Sequence, residues 1–321
     1  MNAHRSPLTA RAMATGVAVL LGGVVVPLSA APARAAMVPT PVPGCNIAHL
    51  ASTLTTAVAG STIHLSGICT GNFTIAKNLT LDGPAILDGG GAGTVLTVTA
   101  GNVVLNQLTI RHGVASPSAA CSGKISRGAG LCGGGVLIEG GSVTLNGCTV
   151  SNNSAGAYGP RFSLMGGAYI DYGSGAGGGI AVMSGTAVLN HTTVSGNIAK
   201  YGDGGGIANS PIGRVTLENG STVSGNTAEG SYPGDNGAGG GISNGGIGAG
   251  INGIVTILHS TVSGNSAGWI GGGIYNGGTV ALTDSTVTGN HAGLMWGGIT
   301  AMPYTVLVQQ GSTVSGNIPL P

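Results

Sequence analysis

The sequence predicts an all-β chain that folds as a right-handed parallel β-helix of about eight coils, with an N-terminal capping helix. The hexapeptide STVSGN occurs three times and has three near copies. A GGG motif followed by Val or Ile keeps phase with the hexapeptide. Glycine supplies 65 of the 321 residues, yet the hydrophobic share is 42%. This combination indicates repeats that pack together rather than a flexible linker.

The repeat is defined by its six copies. They end at Asn153, Asn197, Asn226, Asn265, Asn290 and Asn317, at intervals of 25 to 44 residues. Each repeat offers three short apolar segments with period-two alternation, which predicts strands separated by Gly, Asn and Asp turns. A unit this short cannot bury its apolar side alone. The fixed period therefore favours a stacked solenoid with three strands per coil over a β-sandwich.

Alternation along a strand gives each position of the repeat an expected environment. Ser221 and Val223 are expected to face the interior. Thr222 and Ser224 are expected to face solvent. We expect Asn226 to adopt a left-handed turn conformation and to hydrogen-bond its counterpart one coil away. The glycines of GGG fit a corner where a side chain would collide with the next coil.

Weaker copies extend the repeat toward the N-terminus. Residues 61–83 and 85–113 contain strand-like segments for two more coils, so the β-helix is expected to occupy residues 61–321. Residues 36–60 are expected to form a linker and the capping helix, because four apolar residues there have helical spacing. These are Ile47, Leu50, Leu54 and Val58.

Residues 1–35 have the pattern of a secretory signal peptide. Arg5 and Arg11 precede an apolar stretch, and residues 33–35 form an A-x-A cleavage site. The alternative, a retained membrane anchor, is disfavoured because Gly and Pro interrupt the apolar stretch. We therefore expect a secreted, extracellular protein with no membrane span after cleavage.

The charge balance bears on two classes of partner, nucleic acid and anionic lipid. Three of the ten basic residues lie in the first 35 positions, which leaves seven basic residues against nine acidic ones. A surface with this balance gives no reason to expect binding to nucleic acid or to anionic lipid.

Five cysteines lie after the predicted cleavage site. In an oxidising compartment their proximity in sequence favours the pairs Cys45 with Cys69 and Cys121 with Cys132, although sequence alone does not fix connectivity. Cys148 is left over. It occupies the position that serine or threonine takes in the other copies, so we expect a small buried side chain rather than a nucleophile.

The phased GGGI and VSGN motifs resemble the GGAI and FxxN repeats of the polymorphic outer-membrane-protein family, with Val in place of Phe, over residues 61–317. The wider organisation resembles the pectate-lyase-like superfamily of right-handed β-helices. The resemblance implies the fold. It implies no single activity, because such proteins include surface adhesins, polysaccharide lyases and glycoside hydrolases.

Length variation falls mainly between the repeat asparagine and the next GGG, so inserted loops are expected along one edge of the solenoid. These loops carry most of the aromatic residues, and we expect them, with Asp235, to bind a polysaccharide or a cell-surface glycan by stacking and hydrogen bonding. The aromatic residues are Tyr158, Phe162, Tyr169, Tyr172, Tyr201, Tyr232, Trp269 and Trp296. The alternative is that these rings only pack the loops against each other.

A catalytic role for the same edge is a second hypothesis. Asp171 and Asp203 could form the carboxylate pair of a glycoside hydrolase, since columns on nearby coils span the required separations. In a polysaccharide lyase, Lys200 or Arg161 would withdraw a proton beside a calcium ion held by Asp171, Asp203 or Asp235. Apart from calcium in that case, no cofactor is expected.

The outward Thr and Ser of the hexapeptide suggest a third hypothesis. They would form two hydroxyl columns with spacings similar to those of ice-binding β-helices. Alternatively they are ordinary solvent-facing strand residues. His191, His259 and Asp284 share another column, where solvated turn positions are expected rather than a metal site.

The last coil of a solenoid exposes unpaired backbone. Either Pro319 and Pro321 blunt this end, or another copy of the chain covers it by self-association.

Overall fold

The computed structural model describes residues 40–42, 45, 47–115, 132–156, 162–163, 169–170, 176–200, 202–230, 237–245 and 253–319. The predicted signal peptide lies outside these residues. Within them 57% of the residues are in β-strands and 4% in a helix, and the parallel strands stack into a right-handed β-helix of eight coils. The predicted fold class is confirmed.

Strands and coils follow one another in chain order. Before the first coil lie β1 (Thr40–Val42), helix α1 (Ile47–Thr56), β2 (Ser61–Leu65) and β3 (Gly67–Thr70). Coil 1 contains β4 (Phe73–Ile75) and β5 (Leu79–Asp88), and coil 2 contains β6 (Leu96–Val98), β7 (Asn102–Arg111) and β8 (Val114–Ala115). Coil 3 contains β9 (Cys132–Gly133), β10 (Val136–Ile138), β11 (Ser142–Asn146), β12 (Thr149–Ser151) and β13 (Ser154–Gly156). An inserted pair, β14 (Phe162–Ser163) and β15 (Tyr169–Ile170), follows.

The remaining coils repeat the same pattern. Coil 4 contains β16 (Ala176–Gly177), β17 (Ile180–Val182), β18 (Gly185–Asn190), β19 (Thr193–Ser195) and β20 (Ile198–Lys200). Coil 5 contains β21 (Ile207–Asn209), β22 (Gly213–Glu218), β23 (Thr222–Ser224) and β24 (Thr227–Glu229), and coil 6 contains β25 (Ile242–Asn244), β26 (Ile254–Leu258), β27 (Thr261–Ser263) and β28 (Ser266–Ala267). Coil 7 contains β29 (Ile274–Asn276), β30 (Thr279–Thr283), β31 (Thr286–Thr288) and β32 (His291–Ala292), and coil 8 contains β33 (Ile299–Ala301), β34 (Val306–Gln310), β35 (Thr313–Ser315) and β36 (Ile318–Pro319).

Three parallel sheets run along the solenoid. Sheet B collects one strand of each coil, from β4 to β33, and sheet C collects the last strand of coils 2 to 8, from β8 to β36. Sheet A lies between them and bends once in each coil, so that β5 and β7 each cover both halves while later coils divide it into two strands. The expectation of three strands per coil is therefore corrected to four in coils 5 to 8, and to five in coils 3 and 4, where the short strands β9 and β16 pair with each other. The fourth strand, in sheet C, was missed because it is only two or three residues long.

Helix α1 caps the first coil, as predicted. Leu50 and Leu54 are buried in the same core cluster as Ile63 of β2. At the C-terminal end of the helix, Lys77 Nζ donates to the carbonyl oxygens of Thr55 (2.6 Å) and Ala57 (2.9 Å). These bonds satisfy carbonyl groups that the helix end leaves unpaired.

The interior is built from identical positions of successive coils. Val194, Val223, Val262 and Val287 are register partners in turn, and all four are fully buried. Ser221 is buried beside them, whereas Thr222 and Ser224 are only partly buried. The predicted inward and outward positions are confirmed.

A continuous asparagine ladder runs along the corner between sheets A and C. From Asn153 to Asn317, each side-chain Nδ2 donates to the Oδ1 of the asparagine one coil on, at 2.8 to 3.0 Å. The expectation of left-handed backbone at the asparagine is wrong. The left-handed residue is the one before it, such as Gly225 (φ 60°) or Gly264 (φ 61°). This arrangement turns the asparagine inward, where its amide bonds the neighbouring coils.

Two further features close the corners. Asn209 and Asn244 donate to Asn244 and Asn276 at 2.8 and 3.1 Å, which forms a second buried ladder at the end of sheet B. At the GGG corner, a Cβ added to Gly206 would lie 2.7 Å from the carbonyl oxygen of Gly241, so only glycine fits.

The disulfide predictions stand as follows. Cys45 and Cys69 are bonded, with their Cα atoms 4.6 Å apart, as predicted. Cys132 is also disulfide-bonded, and its predicted partner Cys121 lies outside the described residues. No helix in the described part of the chain is both long and apolar enough to cross a bilayer.

The last coil has no further strand beside it among the described residues. Leu307 and Val314 are each 38% exposed, although their register partners Val280 and Val287 in coil 7 are fully buried. All three sheet A and sheet C strands of coil 8 are exposed along their length.

Candidate functional site

The corner between sheets C and B carries the described part of the predicted loop edge. Before β21, β25 and β29, the first glycine of GGG is left-handed: Gly204 (φ 72°), Gly239 (φ 68°) and Gly271 (φ 64°). In coil 8 the equivalent residue is Trp296, with φ 55°. Left-handed backbone costs a bulky residue about 1–2 kcal/mol, so the chain places an aromatic ring where the repeat itself uses glycine.

Trp296 belongs to an apolar surface that we call the tryptophan corner, formed by Trp269, Leu294, Met295 and Trp296. The last three are exposed by 55%, 43% and 55% respectively. Leu294 N–H donates to Trp269 O at 2.8 Å, and Met295 bridges Ile270, so the two loops run side by side. Large exposed apolar side chains gathered at one place indicate a binding surface.

The two tryptophans have different environments. Trp269 is half-buried against Ala238, Ile270 and Tyr275. It therefore helps to pack the loops against each other, which was the alternative to ligand binding for these aromatic residues. Its side chain nevertheless remains partly exposed. Trp296 belongs to no described core cluster.

Asp203 lies inside this corner rather than on it. Its carboxylate is buried, and Oδ1 accepts a hydrogen bond from Ala238 N at 2.8 Å. The nearby hydroxyl of Tyr275 is also buried, and burial together with the negative charge of Asp203 raises the pKa of Tyr275 well above its usual value. Both groups are thus removed from solvent on the inner side of the loops.

Lys200 is exposed at the end of β20, where its register partner on coil 5 is Glu229. It and Asp203 are the two predicted catalytic residues that the structure describes. Asp171 and Arg161 lie outside the described residues, and the catalytic hypothesis stays a prediction.

The other predicted ligand-binding residues belong to the loops of earlier coils. Tyr158, Tyr172, Tyr201, Tyr232 and Asp235 lie outside the described residues. Phe162 and Tyr169 lie on the antiparallel pair β14–β15, opposite Ile170 and Ser163 respectively.

The outer face of the second half of sheet A carries the two predicted hydroxyl columns. Register pairing joins one threonine column, which consists of Thr149, Thr193, Thr222, Thr261, Thr286 and Thr313. The parallel column consists of Ser151, Ser195, Ser224, Ser263, Thr288 and Ser315.

The first two coils interrupt the second column with charged residues that the sequence analysis did not single out. Asp88 and Arg111 are register partners there, and Arg111 is followed in register by Ser151. Arg111 Nε donates to Asp88 Oδ2 at 2.9 Å, and His112 Nδ1 lies 3.1 Å from the same oxygen. The sequence does indicate this position: ILDG and TIRHG align with the TVSGN copies, and they have Asp88 and Arg111 where those copies have serine.

Asp88 is held as a carboxylate. Its burial acts to raise the pKa, but hydrogen bonds from Gly90 N, Arg111 and His112, together with the charge of His112, hold the pKa of Asp88 below its usual value. On the first half of the same sheet, His64 Nδ1 lies 2.9 Å from Asp82 Oδ2, and Asn106 Nδ2 donates to Asp82 Oδ1 at 3.0 Å.

The structure also describes Cys148 and the column that contains His259 and Asp284. Cys148 is a buried free thiol whose Sγ donates to Leu105 O at 3.3 Å, and burial raises its pKa to about 11. This agrees with the expected buried side chain.

His259 and Asp284 are adjacent, with Nε2 and Oδ2 3.6 Å apart. In the described ranges no group of three His, Cys, Asp or Glu side chains is placed to hold a metal ion.

The chain was compared with protein-family models, curated proteins and solved structures. No family model, no curated protein and no solved structure matches the chain. The parallel β-helix is established by the structure itself, and the resemblance to the polymorphic outer-membrane-protein family and the pectate-lyase-like superfamily stays a prediction.

Proposed function

We propose that this is a secreted protein that binds a polysaccharide or a cell-surface glycan through the tryptophan corner. The observation that carries the proposal is Trp296, a half-exposed ring on left-handed backbone at a position where three preceding coils have glycine. Strained backbone that persists in a regular repeat is often retained for function. An exposed indole face is suited to stacking on the apolar face of a sugar ring.

The neighbouring residues extend this platform. Leu294 and Met295 add apolar surface beside Trp296, and the partly exposed Trp269 lies on the preceding coil. Adjacent coils are about 4.8 Å apart, so the corner offers contacts to successive units of a chain rather than a closed pocket. An extended glycan fits such a surface better than a small molecule does.

A glycan array tests the proposal with three proteins. Wild type is compared with Trp296→Gly, which restores the glycine of the other coils, and with Tyr304→Gly. Tyr304 is the matched control, because it is an aromatic residue, 92% exposed, with left-handed backbone (φ 67°), at the opposite end of β33.

We expect wild type and Tyr304→Gly to bind the same glycans, and Trp296→Gly to lose at least tenfold in affinity for them. The proposal fails if wild type binds no glycan, if Trp296→Gly binds as well as wild type, or if both variants lose affinity equally. In the last case, general surface hydrophobicity would explain the binding.

Ice binding is a second candidate, favoured by the register of the two hydroxyl columns over six coils. Flat, evenly spaced hydroxyl and methyl groups are the feature that would match an ice lattice. Thermal hysteresis and shaped ice crystals at millimolar protein would support this function, and Thr222→Lys in the middle of the array would then abolish both. Growth of unmodified round ice discs would exclude it.

A further inference from the structure

We propose that Arg111 and His112 form a binding site for an oxyanion, a carboxylate or a sulfate or phosphate group carried by a ligand. The site lies on the outer face of sheet A in the first coils, whereas the tryptophan corner lies between sheets C and B at coils 7 and 8. It is independent of the glycan-binding proposal, because the two surfaces share no residue.

The guanidinium of Arg111 is anchored from one side. Its Nε donates to Asp88 Oδ2 at 2.9 Å, and the Asp88 side chain is only 12% exposed. Within the described residues, the terminal amino groups of Arg111 form no hydrogen bond, and the side chain remains 32% exposed. A carboxylate that fixes Nε therefore leaves the planar fork of four N–H groups oriented and open, which is the geometry that binds oxyanions with two parallel hydrogen bonds.

His112 contacts the same carboxylate from a strained, left-handed backbone conformation. Its φ is 55°, and the equivalent residues of coils 4 to 8 are the left-handed glycines Gly196, Gly225, Gly264, Gly289 and Gly316. Because an ionised carboxylate can only accept hydrogen bonds, Nδ1 of His112 carries the proton that faces Asp88. The second ring nitrogen, Nε2, belongs to a side chain that is 48% exposed, and it can donate to an oxyanion only in the imidazolium form, in which both ring nitrogens carry a proton.

Hydroxyl groups complete the surroundings. Ser151 is the register partner of Arg111 on the next coil, and Thr109 lies two residues before Arg111 on the same face of β7. Both are partly exposed. The carboxylate of Asp88 is already occupied by its three donors, so the donors left facing solvent are the four terminal N–H groups of Arg111 and the hydroxyls of Ser151 and Thr109. That donor set is suited to an oxyanion and not to a metal cation.

An NMR titration of the whole protein tests the site, with sodium sulfate, sodium phosphate and sodium acetate in separate arms at constant ionic strength set by sodium chloride. The three arms distinguish a tetrahedral anion from a carboxylate. The variants are Arg111→Gln, Arg111→Lys and His112→Gly. The matched control is Arg214→Gln, the same substitution at an exposed arginine on the same sheet.

We expect saturable shifts at Arg111 and His112 for at least one of the three anions, and unchanged affinity in Arg214→Gln. Arg111→Gln should weaken binding at least tenfold and His112→Gly several-fold. Arg111→Lys keeps the charge beside Asp88 and the fold, but without the planar fork it should also lose about tenfold. The proposal is overturned if no anion gives a saturable shift in wild type, if Arg111→Lys binds as tightly as wild type, or if Arg214→Gln loses as much affinity as Arg111→Gln.

Discussion

Asn226 donates a hydrogen bond from Nδ2 to Oδ1 of Asn265 across 2.9 Å, although 39 residues separate the two in the chain. Both side chains are fully buried. Oδ1 of Asn226 in turn accepts hydrogen bonds from the backbone and side-chain nitrogens of Asn197, at 3.0 and 2.9 Å. The asparagine ladder thus ties each coil to the next through contacts that a single coil cannot make.

Asn226→Ala is expected to lower the free energy of unfolding by about 3 kcal/mol, because it leaves the backbone N–H of Asn197 and one of the two Nδ2 protons of Asn197 buried without an acceptor. Chemical denaturation measures this loss. Ser224→Ala, two residues away but on the outer face, should change the stability by less than about 0.5 kcal/mol. Equal effects of the two substitutions would show that the ladder contributes no special stability.

Stability should depend on pH through Asp88. Its pKa is lowered from the ordinary 3.8 in the folded protein. The resulting stabilisation is therefore fully present above about pH 4 and is lost as the pH falls through the folded-state pKa. Thermal melting between pH 7 and pH 2 should show a steeper acid loss in wild type than in Asp88→Asn. A wild-type slope in Asp88→Asn would contradict the assignment.

The thiol of Cys148 is expected to be inert in the folded protein, since it is buried and its pKa is raised to about 11. At pH 8, iodoacetamide should not label the native protein. After unfolding without reductant, one thiol per chain should react, and none in Cys148→Ser. Rapid labelling of the native wild type would mean that this part of the core opens readily.

Self-association at the last coil stays a prediction that the exposed strands of coil 8 make testable. Among the described residues no strand pairs with their outer edge, they expose apolar side chains, and the sequence after Asp284 contains no Asp, Glu, Lys or Arg that would oppose edge pairing. Sedimentation should detect a dimer whose fraction rises with protein concentration. The dimer should be absent in Leu307→Lys. A wild-type monomer at every concentration would rule it out.

The fold was predictable because the repeat has a fixed period and a strict inside-outside alternation. The first serine and the valine of STVSGN could occupy only one set of environments once the coils stack, as Ser221 and Val223 do. The strands of sheet C escaped prediction because two residues such as His291 and Ala292 carry no period of their own.

The asparagine conformation was misassigned for a related reason. Both residues of the Gly-Asn pair tolerate left-handed backbone, and only the inward direction of the ladder decides which of them adopts it.

The candidate sites were predictable only in part. Trp296 was found from the clustering of aromatic residues in inserted loops, but its left-handed backbone depends on the alignment of WGGI with GGGI. Asp88, Arg111 and His112 were not singled out, because they lie in coils whose sequences diverge most from the repeat. Their proximity arises from stacking of coils that are 23 residues apart.

The free energy of unfolding of Trp296→Gly is the most direct test of the central claim, that Trp296 replaces a repeat glycine for function and not for stability. Restoring glycine removes the left-handed strain, about 1–2 kcal/mol, and loses contacts of a ring that is already 55% exposed. The account predicts a stability equal to wild type or up to about 1 kcal/mol higher. A decrease of more than about 2 kcal/mol, the range of a core truncation, would contradict it and make Trp296 a packing residue.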